Sequence, residues 1–269
     1  MSPMQKSQSK SARVVGRSPP LDAEIMANTS NCDRTKMPDC GCFDHVQTWV
    51  FDLDNTLYPS RCNLFAQIDE RMTGFVSGLL GMERTEARKV QKQLYHTHGT
   101  TLAGLMIEHR IEPASFLDHV HDIDYSPVPA APDLVSALER LPGRRIIFTN
   151  GSRRHAERVL ERQGTGHLFD GIFDITDCQF VPKPKSEPYA AFVGKFGIDA
   201  ARAAMFEDLP QNLGPAHAHG MTTVLVHSEM DDHPIYKEIA AWGDAPPAHI
   251  HHRTDDLPGF LAGLTAAVL

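Results

Sequence analysis

From about residue 44 onward, short apolar runs alternate with amphipathic stretches, and turn-forming residues separate them. Trp49-Val50-Phe51 is one such run, and it breaks into Asp52-Leu53-Asp54-Asn55-Thr56. A strand buried on both faces of a sheet reads this way, as a short apolar stretch bounded by turn signals. Arg145-Ile146-Ile147-Phe148, Gly171 to Ile175 and Ala203-Ala204-Met205-Phe206 repeat the pattern. Thr222 to Val226, short and β-branched, adds another buried strand. Helical patterns fill the gaps. One starts at Pro132-Asp133 and ends at Pro142-Gly143; the next is capped by Ser152, runs to Gln163 and is closed by Gly164 and Gly166. Ser186 to Phe196 carries Pro188 in its first turn, and a helix from about Gln211 to His219 stops at Gly220. Ala248 to His252 reads as a last short strand, with Thr254-Asp255-Asp256 capping a final helix. This alternation predicts an α/β fold, a parallel sheet with helices on both faces.

Two stretches depart from the alternation. Ser60 to Pro129 reads as helices only, with Leu64, Phe65, Ile68, Met72, Phe75, Val76, Leu79 and Leu80 at helical spacing. Thr85 caps a second helix through Tyr95, Gly99 breaks it, Leu102 to Ile107 forms a third apolar segment and Pro113 opens a fourth. A small helical bundle placed directly after the first strand either sits over the sheet's carboxyl end as a lid that excludes water, or is an ordinary packed subdomain. Residues 1–43 are rich in Ser, Lys, Gln, Arg and Pro and read as a disordered tail, since little there offsets the entropy of ordering. Lys6, Lys10, Arg13 and Arg17 make it a solvated basic arm. The expected organisation is a tail (1–43), a core (44–59 and 130–269) and a helical cap (60–129).

Composition narrows the function. The 269 residues are 41% hydrophobic and 22% charged, an ordinary globular balance. A net charge of −8 argues against nucleic acid as a partner. No apolar stretch approaches the roughly 20 residues of a membrane span, so no membrane partner is expected. Met1 to Pro20 lacks the apolar segment of a secretory signal. Five cysteines, odd in number and not densely spaced, suit a reducing cytoplasm. Cys32, Cys40 and Cys42 match no common zinc spacing and read as thiols. Oligomeric state, monomer or homodimer, is not set by the sequence.

The chemistry gathers at strand ends, beyond which the ligands of α/β sheets bind. Asp52 and Asp54, two positions apart, put two carboxylates in one crevice. Such charges raise each other's pKa unless a cation lies between them, so the pair suits Mg²⁺ binding, acid chemistry by one protonated Asp, or a simple Asx turn. Thr149, between a strand and a helix, offers its hydroxyl and the following N–H groups to phosphate oxygens, or merely caps the helix. Lys183 is stiffened by flanking prolines and suits charge balance or phosphate binding. Glu207-Asp208 offers hard oxygen ligands for Mg²⁺.

In this order the motifs Asp52-Leu53-Asp54-Asn55-Thr56, Thr149-Asn150-Gly151, Lys183 and Glu207-Asp208 resemble those of the haloacid-dehalogenase-like (HAD) phosphohydrolase superfamily. The resemblance runs from about Val46 to the C-terminus and implies the Rossmann-like HAD fold, with an all-helical cap inserted after the first strand. Phe51-Asp52-Leu53-Asp54-Asn55-Thr56-Leu57-Tyr58-Pro59 and Tyr95-His96-Thr97-His98-Gly99-Thr100-Thr101-Leu102-Ala103-Gly104-Leu105 look more narrowly like the pyrimidine 5′-nucleotidase branch. Glu207 departs from the Asp of that branch. The resemblance implies Asp52 as nucleophile and Asp54 as general acid and base. It implies Mg²⁺ on Asp52, Asp208 and the Asp54 carbonyl, with Glu207 ligating directly or through water. Thr149, Asn150 and Lys183 would hold phosphate. The implied substrate is a small phosphate ester, a nucleoside monophosphate such as UMP or CMP, with His96, His98, Tyr58 and Tyr95 as candidates to read it. A phosphatase for a sugar phosphate or phosphoglycolate, a phosphomutase and a non-catalytic binding module are the alternatives. Asp54 speaks against a dehalogenase, which has no oxygen leaving group to protonate. His249, His251 and His252 are not expected to bind metal.

Overall fold

In the computed structural model, which describes residues 40–227, 234–243 and 245–265, the sheet is built around β1 (Thr48–Phe51), all four of whose residues are buried. Next in the chain come α1 (Leu64–Leu80), α2 (Arg84–His98), α3 (Thr101–His109), α4 (Pro113–Val120), α5 (Pro132–Arg140) and β2 (Arg144–Phe148). After these lie α6 (Arg153–Gln163), β3 (Gly171–Phe173), α7 (Ser186–Phe196), β4 (Ala203–Glu207) and α8 (Pro210–Ala218). β5 (Thr222–Val226), α9 (Pro234–Ala241), β6 (His252–Thr254) and α10 (Leu257–Thr265) complete the described elements. The six strands are all parallel, in the order β3-β2-β1-β4-β5-β6. β1 therefore lies inside the sheet, paired with β2 on one side and β4 on the other.

Side chains alternate across the sheet because the strand repeat is two. Trp49, Phe51, Ile147 and Phe206 face α5, α6 and α10, while Val50, Ile146, Phe148 and Met205 face α7 and α8. Phe51 stacks on Phe206 with ring centroids 4.8 Å apart and meets the edge of Phe169 at 5.9 Å. Pairing fixes where the strands end. Phe51 is level with both Ile147 and Phe206, so Asp52, Thr149 and Glu207 emerge along one edge of the sheet. Between α5 and β2, Gly143 has φ +86°, and a Cβ there would lie 2.3 Å from the Gln47 carbonyl oxygen, so the turn requires glycine.

The insert's helices pack on one another, with Ile68, Val76, Leu94, Leu105 and Phe116 inside. Buried Asp69 ties α1 to α2, accepting from Gln91 Nε2 at 2.7 Å and Lys92 Nζ at 2.7 Å and pairing with Arg88 at 2.8 Å. Phe65 and Leu79, which share the helical spacing of this face, are exposed. At the turn between α2 and α3, a Cβ on Gly99 would come within 3.8 Å of the Pro182 ring, so the insert runs close to the loop that carries Lys183. No helix among the described residues is long and apolar enough to cross a membrane.

Several sequence expectations are adjusted. Most of the expected tail lies outside the described residues, but Cys40–Phe43 form a 3₁₀ turn and Phe43 is buried, edge-on to Phe260 at 5.8 Å. Thr85 does not cap α2, which begins one residue earlier, after Glu83. The last strand is His252–Thr254 rather than Ala248 to His252, because the Ile250 N–H turns back to the Pro247 carbonyl and pairing with Val224 starts only at His252. β3 stops at Phe173, where the Asp174 carboxylate accepts from the N–H groups of Thr176 and Asp177 and turns the chain. Helix α9 carries Ile235 and Ile239 at i, i+4 spacing, a signal too short to have been read as an element.

Truncating Phe51 to Ala removes a fully buried ring packed against Phe206 and Phe169 on one face of the sheet and is expected to cost about 3–5 kcal/mol of unfolding free energy. Denaturant titration of the variant checks this, and a loss below about 1 kcal/mol would contradict the packing described.

Candidate active site

The backbone places the first carboxylate. The Asp52 N–H donates to the Phe206 carbonyl at 2.9 Å, carrying the β1–β4 ladder one residue beyond the strand. The chain then leaves the sheet in a tight turn, with Asn55 in the left-handed region at φ 59° and the Leu57 N–H on the Leu53 carbonyl at 3.0 Å. This turn brings the Thr56 hydroxyl back to Asp52 Oδ2 at 3.2 Å and aims Asn55 at Asp208 at 3.5 Å.

Lys183 reaches the same point from the loop after β3. Its Nζ donates to Asp52 Oδ1 at 2.7 Å, Glu207 Oε2 at 2.6 Å and the Phe148 carbonyl at 2.8 Å, which engages all three ammonium hydrogens. The loop is braced by Asn150, which donates from Nδ2 to the Lys183 carbonyl at 3.2 Å and accepts the Lys183 N–H on Oδ1 at 2.8 Å. The Asn150 side chain thus holds the Lys183 loop in place. Thr149 is fixed by its N–H on the Phe173 carbonyl at 3.0 Å, and its hydroxyl accepts the Gly151 N–H at 2.9 Å. Glu207 uses its other oxygen to accept from Asn212 at 3.0 Å, on the first turn of α8.

Asp52, Glu207 and Asp208 each offer a carboxylate oxygen within 4.8 Å of the others, and all three are buried. With all three carboxylates ionised, as metal ligands must be, Lys183 would leave an excess of two negative charges. Burial pushes Asp52 up to about 7, with Glu207 adding to the rise and Lys183 opposing it. Burial, then Glu207 and Asp52, push Asp208 well above the usual carboxylate range. Burial alone would lower Lys183, but Asp52 and Glu207 outweigh it and raise its pKa. Hard oxygen donors with a two-charge excess fit a divalent cation such as Mg²⁺.

Asp54 has a different environment. Its Oδ1 accepts from the Tyr58 hydroxyl at 2.5 Å and lies 2.7 Å from His155 Nε2. Burial acts to raise its pKa, but the neighbouring His155 and the hydrogen bonds from His155 and Tyr58 bring it down to about 2. His121 stacks on His155 at 4.5 Å, and burial followed by that neighbour lowers its pKa to about 3.

The structure therefore gathers Asp52, Asp54, Thr149, Asn150, Lys183, Glu207 and Asp208 at one end of the sheet. Tyr58, a candidate for reading the substrate, instead supports Asp54. His98 bonds Glu108 at 2.7 Å within the insert, and Tyr95 faces solvent. His251 supports the β5–β6 pairing through Thr223 at 3.0 Å. His155 escapes the sequence reading, its one clue being a place three residues after the Ser152 cap, on the side of α6 that turns inward.

Three comparisons with known proteins bear on this site. A family model described as "haloacid dehalogenase-like hydrolase" matches residues 46–220. "Phosphate metabolism protein 8" of Saccharomyces cerevisiae is 26% identical over 216 residues, covering 72% of this chain and 64% of that protein. "Enolase-phosphatase E1" of Pseudomonas aeruginosa is 31% identical over 118 residues, covering 40% of this chain and 51% of that one. The chain thus spans between half and two thirds of the length of these two relatives. "Phosphoglycolate phosphatase" of Rhodospirillum rubrum is 28% identical over 229 residues, covering 72% of this chain and 88% of that one. Among solved structures, a HAD phosphatase from Thermococcus onnurineus superposes with a TM-score of 0.50 at 19% identity, covering 74% of this chain and 99% of that one. It shares the fold.

The carboxylate shifts set a testable pH dependence. Between the ordinary 3.8 and about 7, folded Asp52 keeps a proton that the unfolded chain has released, so stability of the metal-free protein falls as pH rises through this window. Asp54 acts oppositely, its contribution complete above the ordinary 3.8 and lost as pH falls towards about 2. Thermal midpoints in EDTA should decline from about pH 5 to about pH 8, and Mg²⁺ should raise them more at the higher pH, since ligands bind metal deprotonated. A Mg²⁺ increment independent of pH, or absent, would exclude these carboxylates as the metal's ligands.

Proposed function

The chain belongs to the haloacid dehalogenase-like hydrolases, and from that footing we propose that it is a phosphomonoesterase working through an aspartyl-phosphate on Asp52, most specifically a pyrimidine 5′-nucleotidase acting on UMP- or CMP-type substrates. The observation that carries the phosphatase reading is Asp54. A carboxylate two residues beyond the nucleophile, with Oδ1 bound by Tyr58 and His155, is suited to serve an oxygen leaving group. The fold is shared with hydrolases of other chemistry and does not decide the reaction.

In this reading an Asp52 carboxylate oxygen attacks phosphorus, and the ester P–O bond breaks as Asp54 gives its proton to the departing alkoxide. Water then attacks the aspartyl-phosphate, Asp54 takes the water's proton, and the P–O bond to Asp52 breaks to free phosphate and the nucleophile. Splitting the displacement in two avoids direct attack of water on the ester. Lys183 partly balances the negative charge beside Asp52 throughout. Mg²⁺, held by Asp52, Asp208 and the Asp54 carbonyl, would supply charge neutralisation between carboxylate and phosphate. With both Glu207 oxygens already accepting hydrogen bonds, its first role in this scheme is to hold Lys183 and the start of α8. Asp54, ionised at its pKa of about 2, is ready as the base, and the approach of a phosphate dianion raises that pKa by like-charge repulsion and favours the proton needed for the acid step.

The pyrimidine reading is supported by the sequence around Asp52 and by the stretch from Tyr95 to Leu105, part of which runs close to the Lys183 loop at Gly99. A second reading, phosphatase action on another small phosphorylated metabolite, is favoured by the phosphoglycolate phosphatase relative, aligned over 88% of its length.

Phosphate release with Mg²⁺, measured across nucleoside monophosphates, sugar phosphates and phosphoglycolate, should favour UMP and CMP. Preference for phosphoglycolate or sugars would keep the chemistry and discard the pyrimidine reading. Asp52→Asn should leave no detectable turnover in a folded protein, and Asp54→Asn should lower kcat about 10²–10⁴-fold. Normal activity in Asp52→Asn would overturn the aspartyl-phosphate mechanism.

A further inference from the structure

The two crossings between the sheet and the helical insert converge on one oxygen. Tyr58, on the outgoing crossing from β1 to α1, donates its hydroxyl to Asp54 Oδ1 at 2.5 Å. His155, fully buried on α6, brings Nε2 to the same Oδ1 at 2.7 Å. The other ring nitrogen of His155, Nδ1, lies 3.0 Å from the hydroxyl of Tyr125, on the returning crossing from α4 to α5. That hydroxyl also donates to the His121 carbonyl at 3.0 Å. The His121 ring stacks on His155 with planes 17° apart, and its Nδ1 lies 2.9 Å from the Ser152 hydroxyl that caps α6. The imidazole is thus fixed by a bond at each nitrogen and by a stacked ring.

Asp54 Oδ2 is placed differently. Among the described residues it accepts no hydrogen bond, and a Cβ on Gly151 would lie 3.6 Å from it. The Asp54 side chain keeps 26% of its surface exposed while that of His155 keeps none. Two partners at Oδ1 occupy both of its lone-pair directions, so a transferable proton on Asp54 belongs on Oδ2. A carboxylic acid free to rotate would spend part of its time presenting the wrong oxygen, and a proton delivered off-line loses the benefit of proximity.

Resting on the phosphatase reading above, we propose that Tyr58 and His155 are positioning residues that pin Asp54 Oδ1 and so assign proton transfer to Oδ2. They act through Asp54 and touch neither phosphorus nor the leaving group. Their effect therefore depends on how much the leaving group needs a proton. An alkoxide needs one, whereas a nitrophenolate leaves readily without it.

The test compares first-turnover release of the alcohol or phenol by wild type, His155→Ala and Tyr58→Phe, each with Mg²⁺. The alkyl ester is UMP or phosphoglycolate, whichever the wild-type protein hydrolyses, and the aryl ester is 4-nitrophenyl phosphate. Tyr58→Phe keeps the buried ring and removes only the hydroxyl, so it reports even if His155→Ala fails to fold. The expected result is an about 10- to 100-fold slower first turnover of the alkyl ester in both variants, with the aryl ester slowed less than about threefold and KM little changed. Equal slowing of both esters, or no slowing of either, would overturn the positioning role while leaving the phosphatase reading intact. A wild-type protein that hydrolyses no alkyl ester would overturn the phosphatase reading and this inference with it.

Discussion

Three carboxylates and one ammonium group buried at a single sheet edge set the terms for everything around them. Asp52, Glu207 and Asp208 lie buried beside one another, and Lys183 offsets only part of the repulsion between them once they ionise. Such a cluster persists only if the surrounding fold overdetermines it. Here the restraint comes from parallel pairing of β1 with β2 and β4, from aromatic packing of Phe51 on Phe206, and from the Asn150 amide that clasps the Lys183 loop at both its N–H and its carbonyl. The apolar layers and the polar edge are therefore parts of one arrangement. The core holds apart and in register charges that would otherwise move away from each other.

The site divides its labour by environment. At Asp52 burial, reinforced by Glu207, raises the pKa; at Asp54 burial acts the same way, but the charge of His155 and the hydrogen bonds from His155 and Tyr58 outweigh it and the pKa falls. Two aspartates separated by one residue are thereby made chemically unlike, a condition for one to form a bond to phosphorus while the other handles protons. This contrast carries more information about the reaction than the sheet order does, because one fold hosts many chemistries.

Much of the framework was legible in the sequence, because it is encoded locally. The runs around Phe51, Phe148 and Phe206 read as buried strands and are buried strands, and Ser152 and Gly164 bounded α6 as their capping chemistry requires. What escaped is non-local. The bond from His155 to Asp54 spans 101 positions, and nothing in a polar helical stretch marks one histidine as turned inward. Asn150 reads as a phosphate ligand from its neighbours, yet its side chain is occupied by a loop more than thirty residues away. Thr85 missed the capping position, which falls two residues earlier at Glu83, and the last strand slid towards Thr254 because the turn at Pro247 delayed its pairing. Phe43 shows the same limit: composition assigned it to a tail, and aromatic contacts with Trp49 and Phe260 place it in the core.

The crossings at Tyr58 and Tyr125 also bear on how such a protein can be rebuilt. An inserted helical layer looks like an interchangeable cassette, joined to the sheet by two strands of chain. Here the hydroxyls of both crossings belong to the hydrogen-bond chain that ends on Asp54. A chimera that exchanged the layer from junctions at the sheet would discard these hydroxyls along with the helices. Splice points placed after Tyr58 and before His121 would instead exchange the helices alone, leaving the hydrogen-bond chain to Asp54 with its host.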